Sequence, residues 1–213
     1  NKSKNNKSKN NKSKNNKSNK ITYILDLVQT LLNAEFNNKE LNNNHKVYYR
    51  PYLKKLLDFF EENKEKYNLG FWSTGTVNYV KNILKTLLKK YKDLPVIIIL
   101  ARSNISLSQA KESERENPVI ENVLTGEQYP FYFHKEVYVK NIKHFLNLKT
   151  IKEKYNFNKN TILVDDYVPN IDINKKENIY AVPPWLKFMR SDNELLKLMQ
   201  CIKKKGKCTR KNT

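Results

Sequence analysis

Three short apolar runs end in residues able to do chemistry. Asp26 closes ITYILD (21–26), Ser73 closes NLGFWS (68–73), and Asp165 with Asp166 closes TILVDD (161–166). Such runs of β-forming residues read as buried strands. In an open α/β sheet, ligands bind at the carboxyl ends of the strands, where these side chains would sit. A carboxylate so placed can attack phosphorus and become an aspartyl-phosphate. Three further parts are then needed. A cation must offset the repulsion between carboxylate and phosphate, and Mg2+ with oxygen ligands is the usual one. A hydroxyl and a lysine must hold the phosphoryl oxygens. An acid–base group must protonate the leaving oxygen and then activate water.

The elements between these runs support the same sheet. Arg50-Pro51 opens a helix whose Leu53, Leu56, Leu57 and Phe60 follow helical spacing. Thr76 is placed to cap a second helix with a stripe from Val77 to Leu88. PVIIIL (95–100) and NIYAV (178–182) read as further strands. Residues 102–128 lack periodicity and are expected to form an inserted loop or hairpin, followed by a strand at YPFYFH (129–134) and a helix over Val139–Leu146. Ser191 and Glu194 have the spacing of a capping box for a final helix. Strands alternating with helices predict a parallel sheet with helices on both faces and a small β insertion.

The ends of the chain differ from its body. Residues 1–20 repeat Asn, Lys and Ser, carry eight lysines and hold nothing to bury, so a disordered tail is expected. Residues 203–213 carry six basic residues and are expected to form a second basic tail, bounding a folded domain at 21–202. The net charge is +20. With the two ends set aside, 27 of the 41 basic residues face 21 acids. Flexible basic arms can hold nucleic acid weakly and in a salt-dependent way; the alternative is tolerated repeat expansion in an AT-rich genome, such as that of a large DNA virus or protist. The longest strongly apolar run, VIIILA (96–101), is too short to span a membrane, and no signal peptide is apparent. Cys201 and Cys208 are expected to be free thiols, which favours an intracellular protein, nuclear, cytoplasmic or in a virion, over a secreted one.

In order along the chain, YILDLVQTLL, YYRPYLKKLLDFF, GFWSTGTVNYVKNIL, FHKEVYVKNI and ILVDDYVPNIDINKKENIYAVPPW resemble the motifs of haloacid-dehalogenase (HAD) superfamily phosphatases. The branch they resemble dephosphorylates the C-terminal domain of RNA polymerase II and is also called NLI-interacting-factor-like. The resemblance covers residues 21–200 and implies a Rossmann-like, HAD-type α/β fold. It implies Asp26 as nucleophile and Mg2+ ligand, Thr30 as the threonine closing the first motif, Ser73 as the phosphate-binding hydroxyl and Lys140 as the lysine that stabilises the charge. It implies Asp165 and its neighbour Asp166 at the metal. It also implies that the backbone carbonyl of Val28 is a metal ligand. The family's acid–base aspartate would stand at that position, and valine cannot transfer protons. The expected outcome is a degenerate protein serine/threonine phosphatase that keeps Mg2+ and phosphate binding and turns over weakly. Its partner would be a phosphoprotein, of which a polymerase C-terminal tail is one. The alternatives are a non-catalytic phosphoprotein-binding or scaffold protein, a phosphatase rescued by an acid such as Glu35, His45 or Glu112, and a nucleic-acid-associated protein acting through its basic tails.

Overall fold

Tyr23, Ile24 and Leu25 are all fully buried, yet they face two different cores. Successive side chains of a strand point to opposite faces, so Tyr23 and Leu25 join one apolar cluster and Ile24 the other. The same alternation holds for Ile162 and Val164 against Leu163, and for Ile99 and Ala101 against Ile98 and Leu100. Strands buried on both faces read as continuous apolar runs, which is why these segments lack polar alternation.

The structure, a computed structural model, describes residues 20–35, 46–103, 119–130, 133–134, 137–155 and 160–211. The strands are β1 (Ile21–Leu25), β2 (Leu32–Glu35), β3 (Lys46–Tyr49), β4 (Tyr67–Thr76), β5 (Val96–Arg102), β6 (Val119–Asn122), β7 (Gln128–Pro130), β8 (Phe133–His134), β9 (Val137–Tyr138), β10 (Thr161–Asp165) and β11 (Ile179–Ala181). The helices are α1 (Leu53–Glu62), α2 (Val77–Leu88), α3 (Ile142–Asn147), α4 (Lys149–Tyr155), α5 (Val168–Ile173) and α6 (Glu194–Lys205). Among the described residues, seven strands form one sheet in the order β11-β10-β1-β4-β5-β6-β7. The first five in that order run parallel; β6 and β7 pair antiparallel. Helices α1, α2 and α6 cover one face and α3, α4 and α5 the other, so the expected α/β fold is found. Burying each of Leu53, Leu56, Leu57 and Phe60 of α1 stabilises the fold by about 1.5–3 kcal/mol.

Local boundaries differ from the sequence expectation for identifiable reasons. The segment 102–128 contributes β6, which pairs with β7 as a hairpin at the sheet edge. The expected strand at 129–134 is divided between β7 and the separate β8–β9 ribbon. Helix α3 starts at Ile142 because the Asn141 side chain accepts the His144 N–H at 2.9 Å. Ser191 and Glu194 do not make a capping box. Asp192 accepts the Glu194 N–H at 3.2 Å, and the Glu194 carboxylate turns to Lys197 and Arg210.

The C-terminal segment corrects two expectations. Residues 203–211 are not an unburied tail. Helix α6 continues to Lys205, Cys208 is buried, and Arg210 exchanges backbone hydrogen bonds with β11 at 2.6 and 2.9 Å. Gly206, at φ 71°, supplies the positive-φ turn that reverses the chain. Nor are the cysteines free. The reversal brings the Cα atoms of Cys201 and Cys208 to 5.8 Å, and they form a disulfide. Paired cysteines no longer favour an intracellular protein over a secreted one. Closing so short a loop contributes about 2.5 kcal/mol in the chain-entropy account. Cys201→Ser is therefore expected to lower unfolding free energy by about that amount, measured in urea without reductant. Dithiothreitol should then destabilise the native chain and leave the variant unchanged. The repeat at 1–19 lies outside the described residues. No described helix is long and apolar enough to cross a membrane.

Candidate active site

The parallel register fixes where the acids meet. Leu25 pairs with Val164 on one side and Phe71 on the other, so Asp26, Asp165 and Ser73 all emerge at the carboxyl edge of the sheet. The Asp26 N–H still donates to the Val164 carbonyl at 2.9 Å, which holds the acid at the last rung of the ladder. One oxygen from each of Asp26, Asp165 and Asp166 lies within 4.8 Å of the others.

Lys140 enters from the loop before α3. Its buried ammonium donates to Asp165 Oδ2 at 2.8 Å and to Asp26 Oδ1. Two asparagines of α5 and the loop after it hold that loop. Asn170 Oδ1 accepts the Lys140 N–H at 2.8 Å, while its Nδ2 donates to both oxygens of Asp165 at 3.1 Å. Asn174 Nδ2 donates to the Lys140 carbonyl at 2.7 Å. Asp165 Oδ1 also accepts the Tyr167 N–H at 2.9 Å, so both its oxygens are committed. Asp166 is less buried, and its Oδ1 accepts from the Thr30 hydroxyl at 2.6 Å.

Ser73 sits at an irregularity. Between Trp72 and Thr76, β4 gains residues relative to β5, and a bulge of this kind re-aims side chains at a strand end. The Ser73 hydroxyl, nearly fully buried, accepts the Gly75 N–H at 3.0 Å. Gly75 is required by close approach: a Cβ there would meet the Tyr79 ring at 2.6 Å. Tyr79 lies near enough to Asp26 that the aspartate's charge, after burial, helps raise the phenol's pKa.

Charge is out of balance in this cleft. Burial pushes the Asp26 carboxyl up to about 7; Lys140 opposes that shift, and Asp165 and Asp166 reinforce it. Burial raises Asp166 too, with Asp165 adding to it and Thr30 opposing. Burial would lower Lys140, but Asp165 and Asp26 outweigh it and the ammonium is pushed up to about 12. Three carboxylates thus face one buried cation. That arrangement fits a divalent cation with oxygen ligands, since added positive charge would relieve the crowding that raises Asp26.

The surrounding cleft, of about 450 Å³, is lined by these residues together with Val28, Gln29, Thr74 and Tyr167. Val28 is 38% exposed at its mouth. A larger hollow of about 630 Å³ by α1 and α2 contains none of the three acids. The loop after Asp26 turns through Gln29, which adopts a left-handed φ of 62°. Arg50 fixes that turn: its buried guanidinium donates to the Thr30 carbonyl at 3.0 Å and to that of Pro183 at 3.0 Å, and grips both oxygens of Asp192 at 2.8 Å.

Residues 21–211 match the family of NLI interacting factor-like phosphatases. The chain belongs to that family. No curated protein matches it. Among solved structures it is similar to Fcp1, an essential RNA polymerase II CTD phosphatase. The identity is 16% and the TM-score 0.39, over 86% of this chain and 50% of that one. It is also similar to a fission yeast RNA polymerase II CTD phosphatase Fcp1 variant bound to beryllium fluoride. There the identity is 13% and the TM-score 0.41, over 91% of this chain and 58% of that one. The chain therefore spans between half and three-fifths of those two chains.

In this family member, Asp26, Val28, Ser73, Lys140, Asp165 and Asp166 line one cleft, and Thr30 bonds to Asp166. Among the suggested substitutes for a missing acid, Glu35 pairs with Lys187 and Tyr48 and does not line the cleft. His45 and Glu112 lie outside the described residues. Sequence reasoning gave no role to Asn170, Asn174 or Tyr167, and read Arg50 only as a helix start. The four-residue spacing of the two asparagines just after the acidic pair was the signal available for them.

Proposed function

We propose that the chain is a Mg2+-dependent phosphoprotein phosphatase in which Asp26 attacks phosphorus, and that its turnover is impaired at Val28. The supporting observation is the meeting of Asp26, Asp165, Asp166 and Lys140 in one buried cluster beside Ser73, with a valine at the mouth. In this reading Asp26, Asp166 and the Val28 carbonyl would hold the cation, and Asp165, which the resemblance also put at the metal, serves another role. Asp165, whose oxygens are taken by Lys140, Asn170 and the Tyr167 N–H, anchors the lysine beside it. A bound Mg2+ supplies positive charge to the phosphoryl oxygens. Lys140 and Ser73 hold the same oxygens, Thr30 orients Asp166, and Asp26 forms the aspartyl-phosphate.

Val28 also favours a second reading, in which the cleft binds a phosphoprotein and releases it unchanged. Phosphorylated protein tails, including the polymerase tail that the resemblance implies, are the esters either reading would engage.

Thermal unfolding tests the phosphate-binding cleft that both readings share. Beryllium fluoride with Mg2+ at a hundredfold excess over its dissociation constant is expected to stabilise the native chain by about 2.7 kcal/mol. Asp26→Asn and Lys140→Ala should lose that gain. A native chain indifferent to the ligand, or an Asp26→Asn chain stabilised equally, would sink the reading.

A further inference from the structure

We infer that the cleft turns over esters whose leaving group departs without a proton: aryl phosphates, with phosphotyrosine the protein form, ahead of phosphoserine and phosphothreonine. The inference rests on Asp26 being the attacking group, as proposed above.

The leaving oxygen of a phosphate monoester either receives a proton or leaves as an anion. Among the described residues, each carboxylate lining the cleft is already engaged. Asp26 and Asp165 hold Lys140, Asp165 also accepts from Asn170 and the Tyr167 N–H, and Asp166 accepts from Thr30. The Lys140 ammonium is gripped by two carboxylates and points its protons at them. A leaving group would exit at the mouth, past Val28. Val28 is 38% exposed there and Tyr167, which lines the same cleft, is 46% exposed. Val28 has no proton to give an alkoxide, and the Tyr167 ring in the same cleft offers contact to an aromatic leaving group.

The step balances without an acid. An Asp26 carboxylate oxygen bonds to phosphorus as the bond from phosphorus to the aryl oxygen breaks. The electron pair stays on that oxygen, and the phenolate takes its proton from bulk water. A second water then attacks phosphorus, the bond to Asp26 breaks, and the carboxylate and inorganic phosphate are released with the water's proton passing to phosphate or solvent. Phenols such as tyrosine ionise near pH 10, so the phenolate is a competent leaving group. A serine alkoxide is far more basic and forfeits the roughly 10²- to 10⁴-fold that a positioned acid contributes.

The test uses the full chain with Mg2+ and two peptides identical except for phosphotyrosine or phosphoserine, beside a series of substituted aryl phosphates. The expected kcat/KM favours phosphotyrosine by roughly 10²- to 10⁴-fold. Rates in the aryl series should climb steeply as the phenol becomes more acidic, and Val28→Asp should flatten the series. Equal Asp26-dependent rates on the two peptides, or a flat aryl series, would overturn the inference while leaving the Asp26 reading intact. Turnover that survives Asp26→Asn would overturn both. Absence of turnover on even the most acidic aryl phosphate, in a chain that still binds beryllium fluoride, would overturn the inference and leave the binding-only reading.

Discussion

Val28→Asp is expected to raise kcat on a phosphoserine peptide by roughly 10²- to 10⁴-fold, the ordinary contribution of a positioned acid–base group. Every other part is within reach of that position. Asp26 is held at the end of β1 by its own backbone bond to Val164, Lys140 bridges it to Asp165, and Thr30 orients Asp166. The substitution changes a side chain that is partly exposed at the cleft mouth, so it should leave the core packing intact. It leaves the backbone carbonyl in place. A fourth carboxylate adds to the local repulsion, so the gain should require Mg2+ and disappear when the ion is chelated. Steady-state kinetics on the native chain and the variant, each checked for cooperative unfolding, would decide the matter. A folded variant that is no faster would locate the defect elsewhere in the cleft.

Arg50→Ala is expected to cost about 3–5 kcal/mol of stability, because it leaves a carboxylate without its buried partner. Total stability of a domain is about 5–15 kcal/mol, so the variant should be marginal. The guanidinium is 0% exposed and makes two 2.8 Å bonds to Asp192 besides its bonds to the Thr30 and Pro183 carbonyls. Arg50→Lys keeps the charge and loses the fork, so it should recover only part of the loss. The pH dependence has a definite sign. Burial would raise Asp192, but its bonds to Arg50 outweigh burial and its folded pKa lies below the ordinary value. The pair's contribution is therefore complete above about pH 4, the unfolded value, and is lost as pH falls through the folded one. Urea midpoints measured from pH 6 downward should fall below pH 4 more steeply for the native chain than for Arg50→Ala.

How much was legible in advance depended on whether the signal was local. The five parallel strands were read from apolar runs because both faces of each are buried, and the acids were read from the positions where those runs stop. The Asp26–Asp165 juxtaposition followed from parallel pairing alone. Arg50 was misjudged because its partners, Gln29, Thr30, Pro183 and Asp192, are distant in sequence and none of them marks it. The cysteines were misjudged because pairing required the reversal at Gly206, which a run of lysines conceals. The Ser191–Glu194 spacing was a true local pattern overridden by Asp192, which serves the helix start and Arg50 together.

The central strand β1 lies between β10 and β4, and Asp26 takes its geometry from the former. That has a consequence for synthesis. Asp26 leaves the ribosome early, whereas Asp165, Asp192 and the Cys208 that closes the disulfide leave it late. Until they arrive, the first strand has no partner on that edge, and Arg50, which holds the loop through Gln29, lacks Asp192. Long-range pairing of this kind is slow to form and exposes unpaired strand edges meanwhile. Messages or degradation products that stop short of β10 would encode Asp26 and yet no acid cluster, so the cleft forms only after β10 has joined the sheet.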